Sequence, residues 1–286
     1  MRRERKRLAS LVRMMLLSLL FATLVTGCAR EFTKALKSSD YAYKYEFAKS
    51  CYYNGKYNQA IQLLQELVTI QKGNKNGQEC LFLLAMAEYD NQDYETASEY
   101  FKKYYSSYPR GNYSEQAKFF IAQSLYMSTP EPRLDQSSTL AAIAYFQEFL
   151  DTYPSSVKRE FAQQRMIELQ NKLVRKELYS ARLYYNLGTY FGNCGSGGNN
   201  YEACIVTSQN ALKEYPYSDL REDFALLIMK SKFELAQQSI DSKKLERFQD
   251  AEDECYGFIN EYPDSRNRQL AEKYISQCKR FTQNSN

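Results

Sequence analysis

Small and aromatic residues recur four positions apart along most of the chain. Each pair places a small residue one helical turn before a larger one: Ala48/Tyr52, Ala85/Tyr89, Ala122/Tyr126 and Ala181/Tyr185, with Ser231/Leu235 as a degraded fifth copy. This spacing puts both members of a pair on one face of an α-helix. The small residue lets a neighbouring helix approach closely and the ring fills the adjacent space. The pattern therefore predicts a series of closely packed helices.

Four Tyr-Pro dipeptides predict where these helices end. A small residue lies two positions beyond each proline, and an alanine lies eight or nine beyond, at Tyr108-Pro109, Tyr153-Pro154, Tyr215-Pro216 and Tyr262-Pro263. Proline cannot continue a helix and biases the residue before it away from helical geometry. A small polar residue suits the N-cap of the next helix. Each Tyr-Pro therefore separates one pair of helices from the next.

The second helix of each pair carries its own pattern. Gly55, Tyr57 and Ala60 give its clearest form, which recurs at Tyr94, Ala97 and Phe101. A G-x-Y-x-x-A arrangement closed by a proline resembles the tetratricopeptide repeat (TPR), whose period is about 34 residues. The resemblance covers residues 40–265 and implies an all-α, right-handed α-solenoid of about five TPR repeats. A terminal helix over 266–281 would cap its open end. The alternative is a non-repetitive helical bundle.

The repeats are stretched at three places. A proline-containing loop over 129–136 separates the helices of the third unit, and an apolar-periodic run over 156–190 predicts one long helix. The alternative for that run is two helices with a turn near Asn171. The glycine-rich segment 191–200 predicts a surface loop. We expect N-terminal repeats 1–3 over 40–172 and C-terminal repeats 4–5, with the capping helix, over 173–286.

The first 27 residues read as an export signal. A basic start precedes an apolar run over 14–25, which is shorter than the ~20 residues of a membrane-spanning helix. It ends in Val25-Thr26-Gly27-Cys28, which resembles a bacterial lipobox and implies cleavage before Cys28 and lipidation of that residue. Residues 28–39 would then form a lipidated tether. The alternative is an ordinary secretory signal with an incidental cysteine.

Removal of the signal changes the charge of the chain. Residues 1–27 hold six of the 38 basic residues and one of the 34 acidic ones, which leaves 32 and 33, a formal charge of −1. The +4 of the whole chain thus comes from the leader. The mature chain has no basic stripe, and a nucleic-acid partner is not expected.

The residue types argue against catalysis and metal binding. The chain has no histidine, so it lacks the base of Ser-His and Cys-His nucleophiles and the usual zinc spacings. A carboxylate pair for glycoside hydrolysis stays open. We expect no enzyme activity, metal or cofactor. An exported chain permits disulfides, and the candidates are Cys194–Cys204 and Cys255–Cys278. The alternative for Cys255 is a small core residue.

A helical-pair solenoid presents a concave groove lined by its first helices. The register of the alanine–tyrosine pairs predicts which side chains line this groove in the first three units. These candidates are Tyr45, Lys49, Tyr52, Phe82, Met86, Tyr89, Phe119, Gln123 and Tyr126. Such a lining suits an extended peptide with aromatic residues. The alternative is that the rings pack between neighbouring helices.

The order of these parts resembles the BamD family of outer-membrane assembly lipoproteins. The resemblance rests on the lipobox, five TPR units, the loop with Arg133, Asp135 and Gln136, the long helix, and the run ending at Tyr215-Pro216. It implies a periplasmic-face, lipid-anchored component of the β-barrel assembly (BAM) machinery. Its N-terminal repeats would receive unfolded barrel segments and its C-terminal repeats would dock on the POTRA domains of a BamA-type insertase. Asn210 and Lys213 are the docking candidates, although the insert at 191–200 departs from the family pattern.

Two other functions stay open on the sequence. One is a periplasmic TPR scaffold lipoprotein associated with the cell wall or with secretion, because the repeat itself carries no function. The other is a glycan-binding lipoprotein of nutrient uptake. Such proteins stack sugars on tryptophan, and the chain has none.

Overall fold

The computed structural model describes residues 30–71, 73, 76–190 and 199–284, and every regular element within them is an α-helix. The first is a helical segment over residues 30–37, here α1. Eleven helices follow: α2 Tyr41–Tyr53, α3 Tyr57–Ile70, α4 Gly77–Asp90, α5 Tyr94–Ser107, α6 Ser114–Ser128, α7 Ser137–Thr152, α8 Arg159–Leu187, α9 Asn200–Glu214, α10 Arg221–Gln237, α11 Asp241–Glu261 and α12 Arg268–Asn284.

The turns inside the first two repeats have the same geometry. Asn54, Gly55 and Lys56 donate their amides to the carbonyls of Ser50, Tyr52 and Cys51, which ends α2. The three residues after Asp90 donate to Ala87, Tyr89 and Glu88 in the same order. Gly55 adopts a φ of 71°, and Gln92 holds the equivalent position at 66°. The two turns are therefore structural copies, and the second accepts backbone strain that glycine avoids.

The helices group into two compact units. One comprises the residues up to Ser128 together with Ala144–Ala162, and the other comprises Thr129–Ile143 and Gln163–Asn286. Consecutive helices pack together from α2 to α6 in the first unit and from α9 to α12 in the second. This consecutive packing of paired helices is that of an all-α, TPR-like solenoid. The predicted grouping of repeats, divided at 172/173, stays a prediction.

The cores of both units pass continuously from one repeat to the next. In the first unit, α4 contributes Leu84 to a cluster with α2 and α3, and Leu81 to a second cluster with α5 and α6. In the second unit α10 joins two clusters in the same way, through Phe224 and Phe233. The small residues of the sequence pattern are fully buried at these contacts: Ala48, Ala85, Ala122, Ala181 and Ser231.

The stretched regions follow the sequence with small shifts. The run predicted as one long helix is α8, a continuous helix of 29 residues, and the alternative turn near Asn171 is absent. The loop over 129–136 separates α6 from α7 as expected. The capping helix is α12, which begins at Arg268. Residues 191–198 lie outside the described part, while Asn200, placed in the loop by the sequence, is a buried residue that begins α9. Within the described residues, none of the helices combines the length and apolarity needed to cross a bilayer.

Candidate binding surfaces

The predicted groove residues of α2 and α4 form contacts between helices. Tyr45 is buried, with the ammonium group of Lys49 5.1 Å from its ring centroid. Lys49 also lies 3.7 Å from a carboxylate oxygen of Glu79, on α4. Tyr52 donates a 2.6 Å hydrogen bond to Asp90 at the end of α4. Burial, together with that bond, raises the pKa of Tyr52, so its hydroxyl stays a donor.

The aromatic side chains of α4 pack mainly against α5 and α6. Phe82 stacks on Tyr113 with ring centroids 4.6 Å apart and meets Phe101 edge-on at 5.7 Å. Tyr89 meets Phe120 edge-on at 5.2 Å. Met86 is half-buried against the same cluster. The aromatic groove candidates of α4 therefore pack largely between helices, as the alternative interpretation of the sequence predicted.

The candidates on α6 divide into buried and partly exposed residues. Phe119 is buried among the rings of Phe146 and Phe149. Gln123 is also buried and donates to the hydroxyl of Tyr89 at 3.4 Å. Tyr126 is half-buried. Buried side chains have little surface for a peptide, so the groove hypothesis rests on the partly exposed candidates Lys49, Tyr52, Phe82, Met86, Tyr89 and Tyr126.

The loop between α6 and α7 is held by two of its three family-motif residues. Gln136 is buried, donates to the carbonyls of Glu131 and Leu134, and accepts a 2.7 Å bond from Thr139. Asp135 accepts a 3.0 Å bond from the amide of Ser137. Bonding to Ser137 is the main reason that the pKa of Asp135 lies below its ordinary value, and nearby Lys176 adds to it. These two residues shape the loop.

The third motif residue, Arg133, has a different role from its neighbours. Its guanidinium lies over the ring of Tyr179, 4.6 Å from the centroid. Lys172 donates to Thr129 in the same loop. The loop is therefore attached to α8 at both places, and the Arg133 guanidinium lies over an aromatic face.

The docking candidates Asn210 and Lys213 are exposed on α9. Val206, one turn earlier, is 55% exposed. With spacings of four and three residues, the three side chains share one helix face. The structure thus brings the two candidates together on an open surface.

The cysteine predictions have separate outcomes. Cys28 and Cys194 lie outside the described residues. Cys204, Cys255 and Cys278 are free and buried, so the structure contains no Cys255–Cys278 bond. Desolvation is the main cause that raises the pKa of Cys255 to about 12 and that of Cys278 to about 11. Both residues lie in the cluster of α10–α12, as small core residues do.

No group of His, Cys, Asp or Glu side chains with metal-binding geometry occurs among the residues that the structure describes. A cavity with a volume of about 510 Å³ lies elsewhere, along α8. Arg133, Lys176 and Arg182 contribute to its lining. Of these three residues, only Arg133 was predicted from the sequence as a site residue, because the loop residue and the helix residues meet only in the fold.

Another feature that was not predicted from the sequence is an arginine five residues after three of the four Tyr-Pro prolines. Arg159, Arg221 and Arg268 donate to the carbonyls of Pro154, Pro216 and Pro263 at 3.0, 3.3 and 3.2 Å. The spacing is readable in the sequence. The arginines close the turn that joins consecutive repeats, which is a structural role.

The comparisons with known proteins agree with this architecture. The family model described as outer membrane lipoprotein (YfiO) matches residues 38–194, from before α2 to beyond α8. The outer membrane protein assembly factor BamD of Pasteurella multocida (strain Pm70) is 27% identical over 142 residues. That match covers 46% of this chain and 54% of the relative, so the chain matches about half of the relative's length. Because the family model covers more than half of the chain, the protein belongs to the YfiO family of outer membrane lipoproteins.

Proposed function

We propose that the chain is a non-catalytic lipoprotein of the machinery that assembles β-barrel proteins into the outer membrane. The observation that carries this proposal is the family match over 38–194, which spans the repeats of the first unit and α8. The similarity to an assembly factor named BamD supports the same role. We place the protein at the periplasmic face of the outer membrane, anchored through lipidated Cys28.

The two ends of the chain would have different partners. The partly exposed Tyr52, Tyr89 and Tyr126, one on the first helix of each N-terminal repeat, are suited to extended barrel segments with aromatic side chains. The exposed face of α9 with Asn210 and Lys213 is the proposed contact for the POTRA domains of a BamA-type insertase. Both are recognition surfaces, and neither needs a cofactor or a reactive group.

Site-specific photocrosslinking in membranes tests both contacts at once. A photoreactive amino acid replaces Tyr89 in one variant and Lys213 in another, and the crosslinked products are identified by mass spectrometry. We expect unfolded barrel proteins at position 89 and a POTRA-containing barrel protein at position 213. Val157 and Tyr217, each 97% exposed, provide control positions in the two units.

The outcome separates this proposal from a general periplasmic scaffold. Recovery of cell-wall enzymes or secretion components alone, at both positions, would contradict the assembly role. Equal crosslinking of the same products at Val157 and Tyr217 would show that the reactions report random collisions.

A further inference from the structure

The cavity along α8 is lined by cations with few partners. Its described lining comprises Arg133, Lys176, Tyr179, Ser180, Arg182, Leu183 and Asn186, and contains no carboxylate. Within the described residues, neither Arg133 nor Lys176 forms an ion pair shorter than 4 Å. Arg182 pairs with Asp223 at 2.5 Å, and both side chains are about half exposed.

A smaller cavity of about 230 Å³ continues this surface. It shares Arg182 and Asn186 with the first cavity and adds Lys230 from α10, which lies 4.4 Å from the ring centroid of Tyr185. Counting Asp135 near Lys176, Asp223 beside Arg182 and Glu234 near Tyr185, four cations face three carboxylates. The combined trough therefore keeps an excess of positive charge.

Arg133 is prepared for binding before a ligand arrives. Buried Gln136 fixes its loop, and the contact with the ring of Tyr179, whose centroid lies 4.6 Å from the guanidinium carbon, restrains its side chain. A side chain held in this way loses little conformational entropy when it binds. The planar fork presents paired N–H donors that match a carboxylate.

We propose that this trough binds an extended acidic peptide segment of a partner protein, with carboxylates on the cations and an apolar side chain on Leu183. Lys176 and Asn186 lie ten residues apart on α8, which is about 15 Å at 1.5 Å per residue. A peptide in extended form covers that distance with four or five residues at about 3.3 Å each. Leu183, 57% exposed between the cations, supplies the apolar contact.

A peptide fits this lining better than a single anionic head group does. One phosphate would reach only one end of a 15 Å surface and would leave Leu183 without a contact. The proposal concerns the recognised chemistry and does not depend on the assembly role proposed above.

Direct binding to the full-length protein in detergent tests the proposal. The probe is a fluorescent peptide of sequence Glu-Glu-Leu-Glu-Glu, measured by polarisation at physiological ionic strength, with its Lys-Lys-Leu-Lys-Lys counterpart as the negative peptide. We expect saturable binding of the acidic peptide only. Arg133→Gln and Lys176→Gln should each weaken it by about tenfold, the effect of one charge-assisted hydrogen bond.

Matched controls remove one positive charge elsewhere in the same unit. Arg266→Gln and Lys273→Gln change exposed residues without a described ion pair and should leave affinity within about twofold. Thermal melting of each variant separates lost binding from lost folding. If Lys176→Gln lowers the melting temperature, Arg133→Lys replaces it as the test variant. This substitution keeps the positive charge but removes the paired N–H donors of the guanidinium, so it should still weaken peptide binding.

Three outcomes would overturn the proposal. They are the absence of saturable binding, an equal loss in the Arg266 and Lys273 controls, and stronger competition by inorganic phosphate or by phosphatidylglycerol vesicles than by unlabelled peptide. Stronger competition by either competitor would assign the trough to a phosphate-bearing ligand. Competition by inorganic phosphate would indicate a free anion, and competition by vesicles alone would indicate a lipid surface.

Discussion

Lys44 donates to both carboxylate oxygens of Glu66, at 2.8 and 2.7 Å, and the lysine is the buried member of the pair. The side chain of Lys44 is 2% exposed and that of Glu66 is 41% exposed. Lys44 also donates to the carbonyl of Leu36, which fastens α1 to the first repeat. Lys118 and Lys232 reach from α6 and α10 to carboxylates on α7 and α11 in the same way. Odd-numbered repeats thus share a lysine that joins their two helices.

The unequal burial of this pair predicts unequal effects of mutation. Glu66→Ala leaves an ammonium group without its counterion and should lower the free energy of unfolding by about 2–3 kcal/mol, near the lower end of the effect of breaking a buried pair. Lys44→Met keeps the apolar stem and leaves a carboxylate that water can solvate, so about 1 kcal/mol or less is expected. Urea unfolding measures both. Glu99→Ala, at an exposed pair with Lys102, is the control. A larger effect of Lys44→Met would contradict the interpretation.

The turn between α4 and α5 predicts a stabilising mutation. Gln92 adopts a φ of 66° in the place that Gly55 holds in the preceding repeat. A residue with a side chain loses about 1–2 kcal/mol of stability in this left-handed conformation, and glycine avoids that loss. Part of the gain is offset because glycine has more conformational freedom in the unfolded chain. Gln92→Gly should therefore raise the free energy of unfolding by about 0.5–1 kcal/mol. Gly55→Gln is the reciprocal variant and should lower it, in the same urea assay. Loss of stability in Gln92→Gly would show that its side chain makes a contact worth more than the strain.

Close helix packing predicts a large effect at Ala85. This residue is fully buried in the cluster of α4–α6, so Ala85→Phe should separate the helices and cost about 1–3 kcal/mol or more. Ala144→Phe makes the same change at an exposed position of α7 and should alter the melting temperature little. Equal melting temperatures for the two variants would mean that the register of the alanine–tyrosine pattern is misassigned.

The lipid anchor is tested independently of the fold. Cys28→Ser removes the thiol that would carry the lipid, and the protein should move from the membrane fraction to the soluble periplasm. Three acyl chains bury many methylene groups at about 0.8 kcal/mol each, so the unmodified protein should resist washing without detergent. Cys51→Ser changes a buried cysteine of α2 and serves as the control. A Cys28→Ser variant that stays on membranes would rule out the lipobox interpretation.

The sequence predicted what depends on local spacing and could not predict what depends on distant contacts. Ala48 and Ala85 are buried because a four-residue pattern defines one helix face. The same pattern cannot tell whether Phe82 faces a groove or a neighbouring helix, because the groove and the neighbouring helix adjoin the same helix face. In the structure, Phe82 stacks on Tyr113. Arg133 and Tyr179 are 46 positions apart and meet only because the loop docks on α8. The cationic trough therefore had no signal in the sequence.

A buried carboxylate predicts that stability depends on pH in a defined direction. Glu88 is 5% exposed on α4, and desolvation, followed by repulsion from Asp93, raises its pKa above the ordinary value of 4.5. Between the unfolded and folded pKa values the folded state binds more protons, so the contribution of Glu88 to stability falls as pH rises through that window. Above the window the penalty of burying the charge is constant, and below it the group is neutral in both states.

Glu88→Gln should therefore stabilise the protein at pH 7.5 and have little effect near pH 4, because the amide is neutral at both values. Melting temperatures of the variant and the unchanged protein across this range measure the difference. Asp253→Asn, which removes an exposed carboxylate of α11, is the matched control. If Glu88→Gln lost stability at pH 7.5, the ionised carboxylate would be making contacts that outweigh its desolvation. A difference that grew as pH fell would reverse the sign of the linkage and contradict a raised pKa.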